Sequence, residues 1–210
     1  DDIKKFINYL LSSNLGEVLI IFLAMLLAFH SDDKIIIPLT ALQILWINLV
    51  TDGLPALALG IDPIGKDIMK RKPRNPKENI ITKTTLLNII SIGILMAIVV
   101  LVLFKLNLDN VIKAQTIAFT SIVVLEMVRV QMIRSQYKLK MFSNKWLILA
   151  ILVSLLLQLL VIYVPYLNKI FKTTPLILFD WISIIIGALA MLLVGTIINN
   201  IVRRLTKQLD

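Results

Sequence analysis

The sequence predicts an all-α integral membrane protein, a bundle of six transmembrane helices with an unwound segment in the second span. Three observations predict it. Hydrophobic residues make up 58% of the 210 residues, with a mean hydropathy of +0.89, more apolar surface than a soluble domain of this length has core to hide. Long uncharged runs recur near 13–30, 36–60, 84–106, 114–133, 146–165 and 176–202, each close to the roughly 20 apolar residues that a bilayer-spanning helix needs. Basic residues, finally, fall unevenly on the two sides of those runs.

Of the 22 Lys and Arg, 17 lie in the N-terminal segment, the 61–83 loop, the 129–145 stretch and the C-terminal tail. The opposite side has Lys34, Lys105, Lys113, Lys169 and Lys172. This is the positive-inside pattern, and it places both termini in the cytoplasm. The net charge of +9 therefore orients the chain against anionic lipid and does not form a nucleic-acid patch. The lipid bilayer is the expected partner, with no nucleic acid, and 1–210 reads as one membrane domain. There is no cysteine, which excludes disulfides, thiolate metal sites and thiol catalysis.

The chain opens on Asp1-Asp2-Ile3-Lys4-Lys5, which has no cleavable-signal character. Residues 3–12 place apolar side chains at helical spacing among polar ones, and are expected to run as a cytoplasmic extension straight into the first span. A chain beginning in mid-helix suggests a fragment. His30 reads as a boundary residue, and the short connection to Lys34 makes the first two spans a tight antiparallel hairpin. The second span contains Thr51-Asp52-Gly53-Leu54-Pro55. Glycine is a poor helix former, and proline removes a backbone donor and clashes with the preceding turn, so local unwinding is expected there. Irregular backbone at membrane depth is tolerated only when packed in protein or lining a wet cavity. The 61–83 loop, with Pro63, Pro73 and Pro76, is expected to order against other cytoplasmic parts. Leu147 to Val164 is nearly featureless and reads as lipid-facing or scaffold, and Asp180 as interfacial. No internal repeat is found, against an inverted-repeat transporter.

Three acids lie inside spans: Glu17, Asp52 and Glu126. An ionisable group at the bilayer centre costs a few kcal/mol and by default marks an ion or substrate path. The alternative is a protonated or paired carboxylate joining helices. Asn14 and Glu17 share one helix face, as do Asn48, Thr51 and Asp52 at i, i+3 and i+4. Thr40 and Gln43 lie further along and carry less weight. Carboxylates, amide carbonyls, hydroxyls and freed main-chain carbonyls are hard oxygen donors, the set that calcium takes six to eight of. Soft metals would want an arrangement of Cys, Met or His that is absent, and the seven Met are scattered as core filler. Arg129 follows Glu126 by three residues. As a residue near the cytoplasmic end it is expected to snorkel to the headgroups, with neutralisation of Glu126 as the alternative.

Ser12-Ser13-Asn14-Leu15-Gly16-Glu17, and then the run from Leu45 through Asn48-Leu49-Val50-Thr51-Asp52-Gly53-Leu54-Pro55 to Gly60, resemble the fifth and sixth membrane helices of calcium-transporting P-type ATPases of the sarcoplasmic-reticulum type. Pro73-Arg74-Asn75-Pro76-Lys77-Glu78 is similar to the linker that follows, and the last four spans fit the seventh to tenth helices in order. The resemblance covers essentially the whole chain. It implies that Asn14 and Glu17 ligate Ca2+ from the fifth helix and that Asn48, Thr51 and Asp52 do so from the sixth, with Asp52 bridging two positions. Glu126, in Val124-Leu125-Glu126-Met127, matches the carboxylate of the eighth helix. Sodium-potassium and proton-potassium pumps usually carry a second acid where Asn48 stands, and plasma-membrane-type calcium pumps lack the fifth-helix Glu. Arg129 departs from the pattern and bears on the second position, since a nearby cation can stand in for one ion.

The resemblance also implies what lies elsewhere. The phosphorylated Asp-Lys-Thr-Gly-Thr motif, the nucleotide-binding and actuator domains and the first four helices are not in this chain. ATP and Mg2+ belong to those domains, so the chain alone cannot hydrolyse ATP and its partner is the remainder of the ATPase. The implied function is calcium export with proton counter-transport, and lysine- and isoleucine-rich usage suggests a prokaryotic plasma membrane. Alternatives are a pump for Mn2+ or Na+/K+, a separate transporter or channel, or a membrane scaffold with the acids as paired contacts.

Overall fold

The computed structural model describes residues 2–31, 34–63, 81–137 and 139–207. Six helical segments in it are long and apolar enough to cross a membrane. The first helix, α1 (Asp2–Leu26), takes in the expected extension. Its buried stripe, Tyr9, Ser12, Ser13, Gly16, Glu17, Ile20 and Ala24, follows the three-to-four-residue helical repeat. Beyond Leu26 the chain turns through Ala28, whose φ of 45° is left-handed, into a two-residue antiparallel bridge. That bridge pairs β1 (His30–Ser31) with β2 (Lys34–Ile35).

The second span is built from three pieces. Helix α2 (Ala41–Trp46) starts on a capping box: the Thr40 hydroxyl accepts from the Gln43 N–H, and Gln43 Oε1 accepts from the Thr40 N–H. This fixes both residues in structural roles, and Gln43 Nε2 also donates to the Phe171 carbonyl at 3.0 Å. One π-helical turn follows over Ile47–Thr51, and then α3 (Gly53–Leu59). The expected unwinding thus takes the form of a widened turn, in which the Asp52 N–H reaches back to the Ile47 carbonyl at 2.8 Å. Pro55 offers no N–H to the Thr51 carbonyl, so the α-helical register cannot be kept through this point.

The remaining spans are α4 (Lys83–Lys105), α5 (Val111–Gln136), α6 (Lys145–Tyr163) and α8 (Leu178–Lys207), with the short α7 (Pro165–Phe171) between the last two. Side chains of Thr82, Asn110 and Asn144 cap α4, α5 and α6 by accepting from backbone N–H groups. In α5, 67% of the apolar window is buried, against 22% in α8, so α5 is the central post and α8 an outer helix. Helix α1 packs most extensively on α4, where Gly16 lies against Met96 and Gly93 against Leu15. Small residues at such a crossing let two backbones approach closely.

Two expectations gain detail. Asp180 is buried at 2% exposure and paired with Lys113 Nζ at 2.8 Å, which ties the start of α8 to the start of α5. Helix α6 does present Leu149, Leu152 and Leu156 outward, but it also carries Gln158, which is buried and accepts from Trp46 Nε1 at 3.2 Å. An amide cannot lie free in hydrocarbon, so this bond sets how α6 is rotated against α2. The loop motif Pro73–Glu78 and the side chains of His30 and Lys34 lie outside the described residues.

Candidate metal centre

Three helical segments meet at the bundle interior. Glu17 from α1, Asp52 from the junction of the π turn with α3, and Glu126 from α5 each offer a carboxylate oxygen, and these oxygens lie within 4.8 Å of one another. Exposures are 4%, 0% and 0%. The π turn is what lets the second span contribute here, because it shifts the following residues around the helix axis and brings Asp52 inward.

The hydrogen bonding leaves the centre rich in acceptors. Asn48 Nδ2 donates to Glu17 Oε2 at 2.7 Å, and the Tyr9 hydroxyl donates to Asp52 Oδ1 at 2.7 Å. Among the described residues, none donates to Glu17 Oε1, Asp52 Oδ2 or either oxygen of Glu126. When ionised, three buried carboxylates this close repel one another at low dielectric. A hard cation relieves that repulsion, and the oxygen-only donor set suits one. Among the described residues, no His or Cys joins the cluster.

The other expected ligands are placed less closely. Asn48 is exposed in this chain, and its Nδ2 also donates to the Ile44 carbonyl at 3.0 Å. Thr51 is fully buried, with its hydroxyl turned to the Ile47 carbonyl at 3.0 Å. Asn14 is exposed and lines, with Glu17, Val18, Phe22, Met25 and Asn48, a groove of about 490 Å³ that reaches the edge of the centre at Glu17.

Arg129 does not snorkel to the headgroups, nor does it ion-pair with Glu126. It is fully buried, and donates from Nε to Ser12 Oγ at 3.0 Å and from Nη2 to Asn8 Oδ1 at 2.9 Å and Asn88 Oδ1 at 2.8 Å. Although it stands in the last third of α5, α1 and α4 pack there and supply its polar partners from inside the bundle. Asn88 in turn donates to Asn199 Oδ1 at 2.8 Å, extending the chain of bonds to α8.

Sequence reasoning missed Tyr9, Asn8 and Asn88. Tyr9 was detectable, since Tyr9, Ser13 and Glu17 repeat at four-residue spacing on one face. It also missed a second polar hub. Asp62, 4% exposed, accepts from Lys5 Nζ at 2.7 Å, Arg134 Nε at 3.1 Å and Asn144 Nδ2 at 3.0 Å. These bonds join α1, the end of α3, the end of α5 and the start of α6.

Comparison with known proteins agrees with this arrangement. Residues 36–201 match the family described as "Cation transporting ATPase, C-terminus". The chain is 42% identical to a calcium-transporting ATPase of Bacillus subtilis, over 95% of this chain and 23% of that protein. It is 36% identical to the human calcium-transporting ATPase type 2C member 1, over 97% of this chain and 22% of that protein. A calcium-transporting ATPase 1 of Bacillus cereus is 35% identical, over 94% of this chain and 24% of that protein. The chain thus spans about a quarter of the length of these relatives. With six membrane-length helices, a buried carboxylate cluster and a family match over most of its length, this chain belongs to the cation-transporting ATPase C-terminal family.

Proposed function

We propose that this chain is the cation-binding and translocation part of an ATP-driven calcium pump. It forms a single membrane domain equivalent to the fifth to tenth helices of the sarcoplasmic-reticulum type. The convergence of Glu17, Asp52 and Glu126, with four carboxylate oxygens lacking donors, carries this reading. Calcium is the transported cargo, and it takes oxygens from these three acids. Asn48 Oδ1, Thr51 and Asn14 complete the set as the groove closes. The names of the relatives, all calcium-transporting ATPases, support the choice of ion.

The groove beside Asn14, Glu17 and Asn48 is where the first four helices of the pump would pack. ATP and Mg2+ act in cytoplasmic domains outside this chain, and both termini lie on the same, cytoplasmic side of a prokaryotic plasma membrane. Phosphorylation there shifts the helices between two arrangements, one holding the ion tightly from the inside and one releasing it outward. α1 transmits that motion, since it runs unbroken from the cytoplasmic Asp62 hub to Glu17. Protons then replace calcium on the emptied carboxylates, giving calcium–proton exchange.

The test is calcium-dependent ATPase activity of the full-length protein carrying Asp52→Asn or Glu17→Gln. Each substitution is expected to abolish activation at calcium concentrations that saturate the unmodified protein. Unchanged activation in both would refute the site. Manganese in place of calcium, in the same assay, identifies which hard divalent ion is preferred.

A further inference from the structure

Among the described residues, side-chain bonds tie α1 to the second span and its end at three levels. Two lie at the metal centre: Asn48 Nδ2 donates to Glu17 Oε2, and the Tyr9 hydroxyl to Asp52 Oδ1, both at 2.7 Å. The third, from Lys5 Nζ to Asp62 Oδ2 at 2.7 Å, lies outside it. Lys5 precedes Glu17 by twelve residues on one unbroken helix, about 18 Å along its axis.

Asp62 is a fixed point without any help from α1. Its carboxylate accepts from Arg134 Nε at 3.1 Å and from Asn144 Nδ2 at 3.0 Å. Arg134 donates in turn from Nη1 to the Met141 carbonyl at 2.8 Å and from Nη2 to Ser143 Oγ at 2.7 Å, and Asn144 Nδ2 also donates to the Ala58 carbonyl at 2.9 Å. Arg134 belongs to α5, eight residues past Glu126. The three elements that supply Glu17, Asp52 and Glu126 are therefore tied together a second time, through Lys5, Asp62 and Arg134. All three of these side chains are buried. Desolvation offsets much of the attraction in a buried ion pair, so its main use is to fix register. A slide of α1 along its axis breaks the Lys5 pair together with both bonds at the metal centre.

Resting on the reading of Glu17, Asp52 and Glu126 as the cation site, we propose that the Lys5–Asp62 pair sets the depth of α1 against the second span and α5, and with it the spacing of the three carboxylates. Lys5 bonds to none of those acids and touches no cargo. It is a positioning residue that acts through the rigid rise of α1. With the pair broken, only the ligating side chains themselves hold α1 at its depth, and Glu17 meets the ion at the wrong level.

The experiment is equilibrium binding of radiolabelled calcium to the full-length protein without ATP, with Lys5→Met, Lys5→Gln and Lys5→Arg, and the thermal midpoint of each in calcium-free detergent. Methionine keeps the apolar stem and leaves Asp62 with Arg134 and Asn144, so the midpoint should move little. Calcium binding should weaken about tenfold, within the range by which separate positions are ordinarily coupled. Lys5→Arg keeps the ion pair and should restore binding. Unchanged affinity in Lys5→Met overturns the proposal, as does a loss that arginine fails to restore. A midpoint that falls in step with affinity also overturns it, because the pair then only stabilises the fold. If the methionine variant does not fold, glutamine, which can still hydrogen-bond Asp62, is judged by the same outcomes. Failure of both neutral variants to fold overturns the proposal by making the pair a requirement of folding. Asp52→Asn in parallel separates the two readings. Normal calcium binding by that variant refutes the site itself, whereas its loss alongside normal binding by Lys5→Met refutes only the positioning role.

Discussion

The Tyr9 hydroxyl donates a 2.7 Å hydrogen bond to Asp52 Oδ1 across the interface between α1 and the second span. Both residues are fully buried, so this bond is shielded from water and fixes the carboxylate in one orientation with Oδ2 directed to the remaining acceptors. Tyr9→Phe keeps the ring and removes the donor. It should weaken calcium binding by about ten- to a hundredfold, the effect of deleting one buried bond to a charged group, on the order of 1.5–3 kcal/mol. Calcium titration of the purified full-length protein measures it, and unaltered affinity would show that Asp52 is oriented by its backbone alone.

Asp62 is the sole acid joining two buried cations, Lys5 and Arg134, among the described residues of the inner hub. Asp62→Ala leaves Arg134 without its carboxylate and Lys5 with Asp2 alone, at 2.9 Å, and removing one partner of a buried pair costs about 3–5 kcal/mol. A lower thermal midpoint in detergent is the expected outcome. Combining it with Arg134→Met should recover part of the loss, because one of the stranded charges is then gone. A double variant no more stable than Asp62→Ala would refute the account.

The α1–α4 crossing makes a graded prediction. A Cβ on Gly16 would meet Met96 at 3.5 Å, an ordinary contact, so Gly16→Ala should be neutral or slightly stabilising, by about 0.5–1 kcal/mol from helix propensity. A Cβ on Gly93 would come within 3.1 Å of Leu15 Cγ and Cδ2, so alanine there needs the leucine to yield. Gly93→Leu cannot be absorbed that way and should force α1 outward, costing about 1–3 kcal/mol from overpacking. Since α1 carries Glu17, calcium affinity should fall in the order Gly16→Ala, Gly93→Ala, Gly93→Leu. Thermal stability and calcium binding measured on the same three variants check the order.

Much of this protein is legible without coordinates. The six spans follow from run length, because a bilayer of fixed thickness imposes the same apolar length on every helix that crosses it. Glu17 and Asp52 stood out because a carboxylate in an apolar helix is expensive wherever it points. The break in the second span followed from Gly53 and Pro55, whose effects on the backbone are local. Its form did not: the loss of one donor can be met by an open coil or by one widened turn, and packing of Ile47 and Thr51 in the interior chose the turn.

Other features depended on how the helices were turned and at what depth they met. Arg129 shows this most clearly. Its sequence position suits a headgroup as well as an interior, and only the approach of Asn8 and Ser12 on α1 and Asn88 on α4 draws it inward. Tyr9 could be placed on the face of Glu17, but not opposite Asp52. Nor does periodicity on α5 say that Glu126 meets acids from two other helices within 4.8 Å. By itself the sequence determined which segments cross the membrane and which face of each carries oxygen donors, since both follow from short-range spacing and transfer energies. The tertiary structure alone decided which donors converge and which neutral side chains hold the buried arginine, because helix rotation and depth are set by side-chain packing between segments distant in the chain.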